Sequence, residues 1–185
     1  MTQSHKIIDV IFRNFEDYQV KIDRCSIDAS RAFDKVNRNN LWGKMVFKVE
    51  PYILRTLVNY YSVSKIVIVI NDKTTSLIKT TKGVKQGGPL SPSLFSIYVD
   101  DLGDDLDQDD NGIKIGQLKI NNIFYADDVI LIVNSIDELN RLLQITESYG
   151  RDFEIKFNPD KTSYMILFDT KSIDGGLITF QDQTI

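Results

Sequence analysis

The stretch that most constrains this chain is Asn-Asn-Ile-Phe-Tyr-Ala-Asp-Asp-Val-Ile-Leu-Ile, residues 121–132. Two apolar runs, Ile123 to Ala126 and Val129 to Val133, bracket the acidic pair Asp127–Asp128. Both runs are rich in β-branched and aromatic residues, and each is too short for a typical helix. The pattern predicts a tight hairpin with buried strands and two carboxylates at its tip. Carboxylates at the edge of a core are costly unless a cation compensates them. A divalent-metal site is therefore the first functional expectation; an exposed hairpin tip is the plain alternative.

The chain has 185 residues, 42% of them apolar and 26% charged, which is ample for one domain with a core. No apolar run reaches the roughly 20 residues of a membrane span, and the N-terminus lacks the apolar core of a signal peptide. Cys25 is the single cysteine, so neither an intramolecular disulfide nor a cysteine-based zinc site can form. These features point to an intracellular setting, cytoplasmic or nuclear, without a membrane partner. The lone His5 reads as a solvated residue. Net charge is −4, but the charge is uneven: residues 100–110 hold seven Asp, and residues 65–85 hold five Lys and one Asp.

Along the chain, Ile7, Ile8, Ile11 and Phe15 predict an amphipathic helix over 7–17, and a strand over 18–28 ends at Asp28. Helices follow over 37–49 and from Pro51 to 62. Strands over 65–70 and 77–80 pair around Asn71-Asp72. Ser91, as cap, and Pro92 start a helix running to about Leu106. Short strands are expected at 113–115 and 118–120, then the hairpin. Ser135 caps a helix that Gly150 stops. Strands over 153–157 and 163–168 flank Asn158-Pro159-Asp160-Lys161. The order predicts an α+β fold, helices packed on one face of a mainly antiparallel sheet.

Asp-Asp also occurs at 100–101, 104–105 and 109–110, where helix-end or loop placement predicts solvated pairs. The stretch Asp107 to Gly112 opens like an EF-hand loop, but its twelfth position is Leu118 instead of a bidentate Glu, so an Asx-Gly turn explains it. Asp28 is the other candidate acid. If its strand lies beside the hairpin, Asp28, Asp127 and Asp128 converge, and close carboxylates need cations to stay ionised. Two Mg²⁺ ions about 3.5–4 Å apart would satisfy them and suit phosphoryl transfer. The glycine loop Gly83-Val84-Lys85-Gln86-Gly87-Gly88 permits close backbone approach to a ligand but lacks the Gly-Lys-Ser/Thr of a P-loop. By itself such a loop is more often a plain strand-to-helix connection.

Three stretches, in order, carry a family resemblance: Ser26-Ile-Asp28-Ala-Ser-Arg-Ala-Phe33-Asp-Lys-Val36, Gly83-Val-Lys-Gln86-Gly-Gly-Pro-Leu-Ser91-Pro92-Ser-Leu-Phe95, and Phe124-Tyr125-Ala126-Asp127-Asp128. They resemble motifs A, B and C of reverse transcriptases, with wording closest to non-LTR (LINE-type, CR1/jockey-like) retrotransposons. Asn158-Pro159-Asp160-Lys161-Thr162 resembles motif D. The resemblance implies a right-hand polymerase palm over 18–170, the end of the fingers over 1–17 and the approach to a primer grip over 171–185. It implies Asp28, Asp127 and Asp128 as catalytic metal ligands for two Mg²⁺, with Mn²⁺ able to substitute. It has the Ala29 carbonyl complete one metal shell, turns backbone amides near Arg31 and Ala32 toward the incoming triphosphate, and makes Phe33 the steric gate against a ribose 2′-hydroxyl. Gln86, Gly87 and Gly88 would line the template–nucleotide pocket, Tyr125 would approach the primer end, and Lys161 would lie near the leaving pyrophosphate. Phe33 and Tyr125 would otherwise be core aromatics and Lys161 a solvated loop lysine.

The partners so implied are an RNA template, a DNA primer, a dNTP and the missing fingers and thumb. No primer-grip hairpin or thumb is expected in this span, so the expected entity is a palm fragment or truncated copy that binds Mg²⁺ weakly and does not polymerise alone. Two further readings stand beside it: a catalytically incompetent remnant serving as an interaction module, and a group II intron maturase. The Ala-Phe-Asp-Lys-Val run favours the retrotransposon wording over the maturase.

Overall fold

The computed structural model describes residues 22–29, 32–125, 128–167 and 177–184. The expected helix over 7–17, the strand start at 18–21, and Arg31, Ala126 and Asp127 lie outside the described residues.

A four-stranded antiparallel sheet forms the centre, in the order β10 (Phe157–Leu167), β1 (Ile22–Ala29), β9 (Asp128–Val133), β8 (Asn122–Tyr125). Alternation along β1 sends Cys25, Ile27 and Ala29 into the core and leaves Arg24, Ser26 and Asp28 on the other face. In β9 every residue from Val129 to Val133 is buried, so both of its faces are covered. Val129, Leu131 and Val133 join the main core, and Ile130 and Ile132 are buried on the reverse face.

Five helices occur among the described residues: α1 (Ala32–Lys35), α2 (Arg38–Met45), α3 (Pro51–Ser62), α4 (Ser91–Gln108) and α5 (Ile136–Asp152). Leu94, Phe95, Tyr98, Val99, Leu102 and Leu106 of α4 meet Leu139, Leu142, Leu143 and Tyr149 of α5 over the sheet. Asn37 caps α2 by accepting from the amides of Asn39 and Asn40. Ser135 caps α5 by accepting from Glu138. Pro51 starts α3, as its fixed φ and missing N–H predict.

Between α3 and α4 the chain makes a ribbon. β2 (Lys65–Ile66) pairs with β5 (Ile78–Lys79), and β3 (Val69–Ile70) with β4 (Lys73–Thr74). Its turn residues Asn71 and Asp72 both have positive φ, 48° and 61°, as a two-residue hairpin demands. β6 (Ile113–Ile115) and β7 (Leu118–Ile120) form a second hairpin, as expected.

Four expectations need correction. Ser91 is the first residue of α4, not its cap; Leu90 holds that position without a side-chain bond, and the Ser91 hydroxyl donates to the Lys85 carbonyl. Gly150 does not stop α5, which continues to Asp152. Gly150 is buried there, and a Cβ would lie 2.9 Å from both the Ile155 carbonyl and the Phe157 ring, so the glycine serves close packing. Residues 153–156 form no strand, and Asn158-Pro159 does not break one: β10 runs unbroken from Phe157 and absorbs the segment as a bulge. Finally, β11 (Thr179–Phe180) and β12 (Gln183–Thr184) form a short hairpin where none was expected, with Phe180 buried against Phe157.

The acidic pair Asp100–Asp101 is also not simply solvated. Lys48 pairs with Asp100, and Lys44 with Asp101 at 2.8 Å, because α2 lies along α4. Among the described residues, no helix is long and apolar enough to cross a membrane.

Candidate active site

Asp28 sits near the end of β1 with a neighbour on each side. In register it lies opposite Asp128 of β9 and Asn158 of β10. Directly opposed residues of an antiparallel pair project to the same face, with Cβ atoms about 4.5–5.5 Å apart. Two acids separated by a hundred positions therefore share one patch of sheet. Asp128 is exposed, and the Asp28 side chain is 27% exposed. The pairing of Tyr125 with Asp128 leaves two residues between β8 and β9, which is the tight hairpin expected from the sequence.

Like charges directly opposed in a sheet are destabilising. A cation offsets this pair: the Lys161 ammonium stands 3.5 Å from Asp28 Oδ2. The bulge makes that reach possible. β1 advances two residues from Ser26 to Asp28, while β10 uses five from Ser163 to Asn158. Pro159 has no N–H to give a ladder, so the bulge is where a strand can tolerate it. The Asn158 side chain accepts from the Asp160 amide at 3.2 Å, and the Thr162 hydroxyl donates to the Asn158 carbonyl at 2.9 Å. Together they shape the turn that carries Lys161.

Immediately after β1, Ala29 and Ala32 are buried and Phe33 is half-buried. The Phe33 ring packs against Phe95 of α4, centroids 5.3 Å apart. The backbone of this segment is tied to the glycine loop. Val84 N–H donates to the Phe33 carbonyl at 2.7 Å, and Gly83 N–H to the Val36 carbonyl at 2.9 Å. Gly83 has φ +80°, and a Cβ there would sit 2.7 Å from the Asp34 carbonyl oxygen, so only glycine allows the approach. Beyond it Gln86 and Gly87 are exposed and Gly88 is half-exposed; the Gly88 amide donates to Lys85 O at 2.9 Å.

Thus Asp28, Asp128 and Lys161 come together, and Phe33 is linked to the start of the Gln86–Gly88 loop. The described contacts do not join Gln86, Gly87 or Gly88 to the acids. Asp127 and Arg31 lie outside the described residues, as does any test of a three-carboxylate set. Among the described residues, no group of three or more His, Cys, Asp or Glu is arranged to hold a metal ion. The hard oxygen donors of Asp28 and Asp128, and the attraction of this patch for an ammonium, fit Mg²⁺ chemistry.

Sequence reasoning missed one organising residue. Arg38, nine-tenths buried, donates to the carbonyls of Gly83 (2.7 Å), Thr80 (2.7 Å) and Tyr61 (3.2 Å), and to the Thr80 hydroxyl. It fastens the glycine loop to α2 and α3. Its burial lowers the guanidinium pKa, opposed by the charge of Tyr61. An Arg in the first turn of a helix carries no signal that distinguishes it from a solvated one. A cleft of about 760 Å³ lies elsewhere, between Asp34, Lys82, Arg151, Glu154 and Gln181. Asp28 and Asp128 do not line it.

An antiparallel sheet with helices over it, and an acid on a central strand facing an acid at a hairpin tip, define a polymerase-type palm. Solved structures agree on the fold. Apo telomerase from Candida tropicalis, truncated from its C-terminal domain, superposes with a TM-score of 0.67 at 16% identity, over 100% of this chain and 39% of that one. Telomerase from Candida albicans in complex with a telomeric RNA fragment gives 0.57 at 18% identity, over 95% and 32%. The sequence pattern described as Reverse transcriptase (RNA-dependent DNA polymerase) matches residues 13–181. The chain belongs to the reverse transcriptase family.

Its relatives are non-LTR retrotransposon polyproteins, in keeping with a LINE-type reverse transcriptase. The Pol polyprotein of an R2 type-1 element from Popillia japonica is 32% identical over 142 residues, 74% of this chain and 23% of that protein. The 149 kDa protein of transposon TX1 from Xenopus laevis is 27% identical over 76% of this chain and 11% of its own length. The RNA-directed DNA polymerase of the jockey element from Drosophila funebris is 23% identical over 86% and 18%. The chain thus spans a quarter or less of the length of these curated relatives.

Proposed function

We propose that this chain is the palm of an RNA-directed DNA polymerase that adds dNMP from dNTP to a DNA primer 3′-hydroxyl on an RNA or DNA template. The observation that carries the reading is the register of Asp28 against Asp128 on one face of the sheet. Asp28, Asp127 and Asp128 are the proposed holders of two Mg²⁺ ions, replaceable by Mn²⁺. Ions held there would acidify the primer hydroxyl and neutralise the leaving pyrophosphate.

The chain's own residues do the rest by positioning and charge placement. Phe33, wedged against Phe95, presents a flat edge that a ribose 2′-hydroxyl would meet and a deoxyribose would not. The Ala29 carbonyl would complete one metal shell, and backbone amides near Arg31 and Ala32 would face the triphosphate. Gln86, Gly87 and Gly88, fixed through Gly83 and Arg38, support the template–nucleotide pair. Tyr125 lies beside the primer end. Lys161, tethered at Asp28, carries the positive charge that the departing pyrophosphate requires. The short hairpin at 179–184 is the proposed approach to the primer grip.

Alone, the 185 residues are proposed to bind Mg²⁺ weakly and not to polymerise, because basic surfaces for template and triphosphate belong to fingers and thumb. The test joins the chain to the flanking segments its relatives carry and measures primer extension on RNA and DNA templates. Asp127→Asn with Asp128→Asn should abolish extension, and Phe33→Ala should admit ribonucleotides. Equal extension by the double variant would remove the metal assignment. No extension by the unsubstituted sequence in that context would favour the other reading, a folded interaction module without turnover.

A further inference from the structure

Asp28 and Lys161 meet on unequal terms. The carboxylate belongs to a central strand, with Asp128 opposite it on one side and Asn158 on the other, and its side chain is 27% exposed. The ammonium ends a flexible stem that is 65% exposed, and it stands 3.5 Å from Asp28 Oδ2. Of the two, the lysine is the partner able to leave.

The turn that carries Lys161 does not depend on this pair. The Asn158 side chain accepts from the Asp160 amide, and the Thr162 hydroxyl donates to the Asn158 carbonyl. β10 pairs with β1 on both sides of the bulge, at Asn158 and at Ser163. The Lys161 side chain can therefore swing away while its backbone keeps its place. An ammonium in partly solvated contact holds a carboxylate weakly. A divalent ion brings twice the charge and bonds carboxylate oxygen directly. One ammonium also cannot neutralise Asp28 and a departing pyrophosphate at the same time.

We propose that Lys161 is the resident counter-ion of the metal site. It neutralises Asp28 while no divalent ion is bound, and gives that carboxylate up when one binds. Only then is its charge free for the phosphates of the nucleotide. The inference rests on the reading of Asp28 as a metal ligand and adds an order of events to it: on the empty chain Lys161 opposes metal binding.

The test is Mn²⁺ binding to the 185-residue chain, read as loss of the free-ion electron paramagnetic resonance signal, with circular dichroism as the fold control. Lys161→Met should bind Mn²⁺ about two- to fivefold more tightly than wild type, the range of a partly exposed ion pair. Lys161→Gln should do the same with a polar side chain, and Lys161→Arg, which keeps the charge, should show no tightening. Lys156→Met removes an equal charge from an exposed position five residues away, and screening should leave its affinity near wild type. A second readout needs no Mn²⁺. The ¹⁵N resonance of the Lys161 ammonium should move to the position of a solvated lysine when Mg²⁺ is added, and should already stand there in metal-free Asp28→Asn. Equal tightening by Lys161→Met and Lys156→Met, or tightening by neither, would overturn the inference and leave the metal reading in place. Mn²⁺ binding that Asp28→Asn leaves unchanged would remove the metal reading and the inference with it. So would the absence of saturable binding in wild type and Lys161→Met alike.

Discussion

Two runs of almost the same composition have opposite fates in this molecule. Val129-Ile-Leu-Ile-Val133 is wholly buried, and Ile66-Val-Ile-Val-Ile70 is wholly exposed. Both are rich in β-branched residues; the first lies in one continuous strand and the second is split between β2 and β3. The first lies between β1 and β8 with helices above it; the second, among the described residues, pairs only with the returning segment 73–79. Residue type sets the preference for a strand, and neighbours decide whether the strand becomes core. Burying one such side chain contributes about 1.5–3 kcal/mol, so five of them anchor a sheet in one place and leave an exposed ribbon in the other. The carboxylates stand on the anchored one. Positioning two acids against their mutual repulsion requires a strand that cannot slip, because a one-residue slip would turn Asp128 to the opposite face.

The widest separation between the two runs should come from truncation. Leu131→Ala is expected to cost about 2–5 kcal/mol in urea unfolding. Ile68→Ala should fall within about 0.5 kcal/mol. Comparable losses at both sites would erase the distinction. The next effect concerns the joint between the two regions. Arg38→Met leaves three carbonyls without their donor, at about 1–3 kcal/mol for each acceptor that stays dry. Hydrogen exchange should rise across Thr80–Gly88 and stay low in β9; a uniform rise would mean that Arg38 supports the whole core instead of the loop.

Gly150→Ala should cost about 1–3 kcal/mol by overpacking against Phe157. A neutral result would restore the simpler view of this glycine as a helix stop. A smaller effect, in pH, marks the anchored side only. Burial pushes the Cys25 thiol up to about 12. In the unfolded chain it ionises near the ordinary thiol value of 9.0. The unfolded state therefore releases its proton first, and stability should decline as pH rises from 9 toward 12. Cys25→Ala should flatten that limb of the unfolding profile, and native protein at neutral pH should resist thiol reagents.

Much of this architecture was legible in the sequence, for identifiable reasons. Asn37, Pro51 and Ser135 carry local chemistry that starts helices whatever their surroundings. The strands at 113–115 and 118–120, and the approach of β8 and β9 to the acids, follow from short apolar runs with turn residues between them. The errors arose where tertiary contact outranked local chemistry. Pro159 reads as a break, yet a bulge opposite β1 accommodates it and delivers Lys161. Gly150 reads as a stop, yet the approach of Phe157 needs the space it leaves. Ser91 reads as a cap, but its hydroxyl is taken by the carbonyl of Lys85. Arg38 was invisible because its value lies in three carbonyls 23 to 45 positions away. At the site, β1 lies beside the hairpin with Asp28 opposite Asp128, while Asp127, the acid expected to face Asp28, lies outside the described residues. The Asp28–Lys161 ion pair could not be foreseen without the bulge.

The most direct test of the metal-holding palm is a Mn²⁺ titration of the 185-residue chain followed by electron paramagnetic resonance. The account expects saturable loss of the free-ion signal, abolished in the combined Asp28→Asn and Asp127→Asn variant while its circular dichroism and unfolding midpoint stay at or above wild type. Unchanged Mn²⁺ binding in that folded variant would contradict it.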